Sequence, residues 1–395
     1  MTPPPTDALT LSVAPSLAEV DAAEWDACAV GGDPAEPDNP FLRHAFLHAL
    51  EASGSATPRT GWAGAHALLR DGAGRLLGAV PCYLKSHSRG EYVFDAGWAD
   101  AFERAGGAYY PKLQVSVPFT PATGRRLLVR AGEDASIVEP LLARALVEAE
   151  GALGASSTHL TFVTDGEAER LKALGFLHRT DQQFHWIDDH GFASFDEFLQ
   201  TLQSRKRKAI RRERKEALAP GLAIEHVTGR DITEAHLDAF FAFYMHTGAR
   251  KWGRPYLTRA FFSLVTEAMA ERVLLVMAKR AGRYVAGAIN FIGATTLYGR
   301  HWGAVEDHPF LHFEVCYHQA IEFAISRGLR RVEAGAQGEH KLARGYRPVT
   351  THSVHHIAHP ALRRAVADYL RSERAHVAAA HEELSALTPF RRSQP

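Results

Sequence analysis

Cysteine is scarce in this chain: Cys28, Cys82 and Cys316 are the only three in 395 residues, and no C-x-x-C pair occurs. An odd, dispersed set excludes a disulfide framework and a cysteine zinc site, and it suits a reducing compartment. Long apolar runs are missing too. None approaches the roughly 18 residues that a membrane span needs. The opening Met1–Asp7 has neither the basic nor the apolar region of a secretory signal, so the expected address is the cytoplasm. Net charge is also absent, because 45 Lys and Arg balance 45 Asp and Glu. That excludes reliance on global charge to attract nucleic acid or an anionic membrane, but it leaves local patches open. A metal signature is lacking despite 22 histidines. His44 and His48 stand at i, i+4, and His352, His355, His356 and His359 cluster, yet there is no H-E-x-x-H pattern and no evident third ligand. No metal is expected.

What is present is globular: 46% hydrophobic and 23% charged residues, in a length that suits two domains or one large one. Helix and strand signals alternate, which argues for an α/β or α+β class. Asn39-Pro40 starts a helix. Trp62–Arg70 and Arg75–Leu84, parted by Asp71-Gly-Ala-Gly74, read as a hairpin, and Ile137–Ala149 reads as a helix. His159–Val163 follows as a strand, and Glu167–Ala173 as a helix closed by Gly175. The second half repeats this grammar. Gly74-Arg-Leu-Leu-Gly-Ala-Val80 matches Gly282-Arg-Tyr-Val-Ala-Gly-Ala-Ile289, 208 positions on, and Ala173-Leu-Gly-Phe176 matches Ala343-Arg-Gly-Tyr346, 170 positions on. The difference is about the length of Lys85–Gly124, which reads as an insertion without a counterpart in the second copy. Two duplicated domains are expected, at residues 9–190 and 191–386.

Three segments carry chemistry. A long helix is expected from about Ser194, with Phe195, Phe198, Leu199, Leu202 and Ile210 as its apolar stripe. Its Ser204–Glu216 stretch holds eight basic and two acidic residues, and Arg205, Lys208, Arg211 and Arg212 are candidates for binding phosphate. A solvated charged face is the plainer alternative. The insertion is dense in polar and aromatic residues, a composition that binds more often than it packs. Its candidates for substrate contact are His87, Glu91, Tyr92, Tyr110, Lys112, Thr120 and Arg125. The third segment runs from Tyr298 to Pro348. There Tyr298–Gly303 reads as a strand end opening into a loop, and a helix follows from Leu311 to about Arg327. Glu314 and Glu333 are candidate bases for an attacking amine, and Lys341 is a candidate to stabilise developing negative charge. Arg300, His301, Trp302, Gln337, Glu339, His340 and Arg344 are candidates for substrate contact. Glu314 also suits a structural role at a helix N-terminus.

The order hairpin, helix, strand, helix ending in Gly-aromatic, strand is that of the GNAT acyltransferase fold. The motifs Lys85-Ser-His-Ser, Gly90-Glu-Tyr-Val-Phe-Asp95, Val117-Pro-Phe-Thr-Pro121 and Gly335-Ala-Gln-Gly-Glu-His-Lys341 together resemble one bacterial family. Its members are the peptidoglycan biosynthesis/recognition-like GNAT proteins, related to FemAB aminoacyltransferases. The resemblance spans roughly residues 39–390. It implies tandem GNAT-like domains, each a mixed, mostly antiparallel sheet flanked by helices. It also implies acyl or aminoacyl transfer to an amine, with a cell-wall precursor among the acceptors and acyl-CoA or aminoacyl-tRNA as donor. The FemAB helical hairpin has only one arm here, at residues 204–219, and the GNAT coenzyme A loop is missing from both halves. An alternative is a non-catalytic module that recognises a glycan or nucleotide-linked precursor. A third reading, RNA binding through the basic helix, lacks aromatic interleaving in its support.

Overall fold

The computed structural model describes residues 9–219, 221–251, 255–335 and 338–391. It divides into two compact units, one of residues 1–181 and 350–378 and the other of 182–349 and 379–395. The chain therefore changes unit inside two strands and again inside its last helix, and 350–378 joins the first unit.

The first unit contains β1 (Thr10–Ala14), β2 (Trp62–Gly64), β3 (His66–Arg70), β4 (Leu76–Val80), β5 (Cys82–Lys85), β6 (Lys112–Val115), β7 (Leu128–Val129) and β8 (Ser157–Val163). Its helices are α1 (Ala22–Ala29), α2 (His44–Ala52), α3 (Ala96–Arg104), α4 (Ala135–Ala152) and α5 (Asp165–Ala173). One sheet has the order β1-β3-β4-β7; the other runs β2-β5-β6-β8 and is continued by residues 350–357. The β3–β4 hairpin forms where the sequence placed it. Asp71 accepts hydrogen bonds from the Ala73 and Arg75 amides at 3.0 Å each and so folds the turn locally. Leu113, Val115 and Leu160 on one sheet face pack with Val138, Leu142 and Leu146 of α4 to form the core.

The second unit takes residues 182–187 of β9 (Leu177–Ile187), then α6 (Phe195–Thr201), α7 (Ser204–Leu218), β10 (Leu222–Thr228), α8 (Glu234–Lys251), α9 (Arg259–Met269), β11 (Val273–Arg280), β12 (Arg283–Ile292) and β13 (Thr296–Ala304). Then come α10 (Leu311–Phe313), a π-helical turn (Glu314–His318), α11 (Gln319–Ser326) and β14 (Arg331–Glu333). β15 (Arg347–Ile357) and α12 (Pro360–Ala386) complete the chain. The sheet order is β10-β11-β12-β13-β14, with residues 185–187 antiparallel to β14. No helix among the described residues is long and apolar enough to cross a membrane.

Three local expectations are corrected. The helix expected from Ser194 is broken: Leu202 is extended, and the Gln203 amide donates to Pro389 O at 2.9 Å, so α6 and α7 are separate. All five residues of the expected apolar stripe are nonetheless buried in the second unit's core. Tyr298–Gly303 opens no loop; it lies within β13. The segment 85–124 is not wholly an insertion, because it contains β6. β6 pairs antiparallel with β5 and parallel with β8, as β13 pairs antiparallel with β12 and parallel with β14. β6 and β13 thus hold equivalent places, and the offset in the sequence is spread on both sides of β6. The α/β class with tandem GNAT-like units stands.

Candidate active site

Strand alternation sends successive side chains to opposite faces of a sheet. In the second unit Leu297, Val332 and Trp186 face the core. Their neighbours Tyr298, Glu333 and His185 stand in register across three strands. β13 and β14 pair only over Thr296–Tyr298 and Arg331–Glu333. β13 then runs on to Ala304 beside β12 alone. A bulge falls at Arg300, since Ile289 pairs with His301 and Asn290 with Gly299. Bulges of this kind re-aim side chains beside sites. The chain leaving β14 turns through Gly335 (φ 79°) and later forms a 3-10 turn over Glu339–Arg344.

That turn carries Lys341. Its side chain is buried at 1% exposure, and its amine donates to Gly335 O at 2.8 Å. Among the described residues it has no carboxylate partner, and burial lowers its pKa from the ordinary 10.5 to about 7. Lys341 and Arg331 both act electrostatically on His185, whose pKa falls to about 3, chiefly through burial. His185 Nδ1 lies 3.9 Å from Glu333 Oε1. Glu333, His185 and Lys341 therefore share one neighbourhood, although no direct contact joins Lys341 to either.

Around this point stand aromatic rings, Tyr317 and Tyr346 buried and Trp302, His312 and Phe313 half-buried. Trp302 meets His312 at 5.3 Å between centroids, His312 meets Phe313 at 5.6 Å, and Tyr317 meets Tyr346 at 5.6 Å. Tyr317 OH and His340 Nε2 are 2.8 Å apart. Phe310 begins this stretch in the left-handed region at φ 60°, where a bulky residue is rarely found, and the π turn follows it. Both features mark a locally strained segment of the kind that collects at functional sites.

Glu314 is not free to act as the base proposed from sequence. It is fully buried and accepts from Arg214 Nη2 at 3.0 Å and Nε at 3.1 Å, and from Gln319 Nε2 at 2.6 Å. Arg214 also bonds Glu322 at 2.6 Å. Arg344 is engaged as well. Its guanidinium lies 3.4 Å from the Phe313 ring centroid and is held by Glu213 at 2.9 and 3.1 Å. Sequence reasoning passed over Glu213, whose only signal was an acidic residue inside a basic run. His301 is half-buried, with its pKa lowered to about 3 by desolvation, and it packs edge-on against Tyr244. Gln337 and the Glu339 side chain lie outside the described residues.

The candidates from residues 85–125 separate into two groups. Lys112, Glu91 and Tyr110 come together: Lys112 Nζ reaches Glu91 Oε2 at 2.7 Å, Asp95 Oδ2 at 2.5 Å and Ser88 Oγ at 2.8 Å, and Ser88 Oγ meets Tyr110 OH at 2.8 Å. Lys85 lies 3.5 Å from Glu91 and 3.5 Å over the Trp62 ring. Tyr92 borders this cluster in a strained φ of 60°. The remaining three are engaged elsewhere. Arg125 donates to the Cys28 and Ala29 carbonyls, Thr120 to the Pro118 carbonyl, and His87 Nε2 meets Thr60 O. Arg205, Lys208, Arg211 and Arg212 are exposed on α7; Arg211 pairs with Asp196 at 2.9 Å and Arg212 with Glu216 at 3.6 Å. Among the described residues no three His, Cys, Asp or Glu side chains converge as a metal site.

The model of the FemAB-like family, described as peptidoglycan biosynthesis/recognition, matches residues 16–392. The fold resembles that of FemX at 13% identity and TM-score 0.53, covering 88% of this chain and 99% of that one. A conserved protein of unknown function from Bacteroides thetaiotaomicron gives 14% identity and TM-score 0.50, with 88% and 99% covered. A tandem GNAT protein from the clavulanic acid biosynthesis pathway gives 15% identity and TM-score 0.46, with 89% and 99% covered. No curated protein matches.

Proposed function

The chain belongs to the FemAB-like family, and from that premise we propose that it is an acyl or aminoacyl transferase whose chemistry is carried by Lys341. The observation behind this is a buried amine without a carboxylate partner among the described residues, in the loop that follows the parting of β13 and β14. A lysine so desolvated is largely neutral a little above pH 7 and can take a proton.

In the proposed step, an amine nitrogen adds to the carbonyl carbon of an activated ester or thioester, and a C–N bond forms. The proton released from that nitrogen passes to Lys341 Nζ. It is then returned to the departing oxygen or sulfur as the C–O or C–S bond breaks. Glu333 and His185, on the neighbouring strands, are proposed to orient the amine. Glu314, held by Arg214, is assigned a structural part instead.

We assign the donor to the phosphate-bearing class. Arg205, Lys208 and Arg212 recur at i, i+3 and i+7 on an exposed helix face, a stripe about 10 Å long, which suits successive phosphates. Aminoacyl-tRNA is favoured over acyl-CoA on this ground, and a cell-wall amine is the proposed acceptor. The test is a transfer assay with the purified full chain, run separately with aminoacyl-tRNA and acetyl-CoA. Lys341→Met should lose at least about 100-fold in rate with the active donor. A variant that keeps wild-type transfer would overturn the assignment of Lys341.

A further inference from the structure

The basic helix does something inward that its composition hides. Two consecutive residues of α7 reach two different parts of the site. Glu213 holds Arg344 with a bidentate pair at 2.9 and 3.1 Å, and Arg214 holds Glu314 of the π turn. Arg344 closes the 3-10 turn from the other side, since its Nη1 donates to His340 O at 2.7 Å. Lys341 lies between His340 and Arg344 in that turn. The Glu213 carboxylate also lies 3.6 Å from His318 Nε2, on the last residue of the π turn.

We propose that Glu213 is a positioning residue: acting through Arg344, it fixes the turn that keeps Lys341 out of water. Arg344 is 7% exposed and Glu213 14%, so the pair is only weakly screened. A bidentate fork restricts direction as well as distance, which a single contact to a mobile turn does not. Although burial works against it, His318 and Arg344 hold the Glu213 carboxyl below its ordinary value, so the pair persists across the neutral range. Arg344, compensated by Glu213 and laid on Phe313, acts as a clamp and not as a site for a substrate anion.

This inference rests on the reading of Lys341 as proton acceptor, but its test needs no substrate. The ¹³Cε resonance of Lys341, assigned with Lys341→Arg, is titrated in the full chain. In Glu213→Gln the loosened turn admits water. The proton affinity of Lys341 should rise about tenfold or more, moving its midpoint upward by a pH unit. Glu213→Asp should restore most of the wild-type value. Glu216→Gln, which removes the helix's other carboxylate in this stretch, should leave it unchanged. If Glu213→Gln fails to fold, Arg344→Lys, which keeps the charge and loses the fork, should give the same upward shift. A midpoint that stays or falls in a folded Glu213 or Arg344 variant overturns the proposal. A wild-type midpoint at the ordinary 10.5 would instead overturn the reading of Lys341 itself.

Discussion

Lys112 in the first unit and Lys341 in the second are buried to the same degree, and their environments push them in opposite directions. Burial opposes the charge of both. Around Lys112 the carboxylates of Glu91 and Asp95 overcome it, and the ammonium is held above its ordinary value. Around Lys341 there is a carbonyl, and the pKa falls to about 7. Lys85 lies between these cases: Glu91 is 3.5 Å away but is shared with Lys112, and burial brings Lys85 to about 7 as well. Partners, not burial, decide whether a buried lysine is a fixed charge or a proton acceptor.

The contrast breaks first at Lys112. Lys112→Met leaves Asp95 buried without its cation and Glu91 with Lys85 at 3.5 Å in its place, and urea unfolding should show a loss of about 3–5 kcal/mol. A change below about 1 kcal/mol would mean that the carboxylates are otherwise satisfied. The opposite substitution in the second unit should have the opposite sign. Lys341→Met removes an amine whose protonation favours the unfolded chain, and stability at pH 7 should rise by about 1–3 kcal/mol while transfer is lost.

The same linkage fixes a pH slope. Between about 7 and 10.5 the unfolded chain binds a proton at Lys341 that the folded chain does not, so this group makes stability rise with pH across that window. Lys85 contributes with the same sign. The wild-type slope should therefore be reduced in Lys341→Met and reduced further when Lys85→Met is added. A slope unchanged in both would remove the contrast. Smallest in stability is the outer face of α7. Changing Arg205, Lys208 and Arg212 to Gln should alter unfolding by less than about 0.5 kcal/mol. It should also weaken donor binding and flatten its dependence on salt, measured as the apparent donor KM.

Much of the fold was legible because it is local. Asp71-Gly-Ala-Gly74 made a hairpin through its own side-chain bonds, and Phe195, Phe198 and Leu199 reached the core. β6 was missed because Lys112-Leu-Gln-Val115 carries two polar residues on a face that is polar and buried, so it reads as a loop. The break at Leu202 depends on Pro389, which is nearly two hundred positions away. At the site, Lys341 and Arg344 could be named from residue type. What they do could not, because a lysine's partner and an arginine's clamp are facts of three dimensions. Glu213 illustrates the limit. In a run of eight bases it looked like weak neutralisation, yet it is the residue that holds Arg344.

The measurement that bears most directly on the account is a titration of Lys341 and Lys112 side by side. Both ¹³Cε resonances would be followed in one sample of the full chain between pH 5 and pH 11. The account predicts that Lys341 titrates near 7 while Lys112 stays charged past its ordinary value of 10.5. A Lys341 midpoint near 10.5 would contradict it.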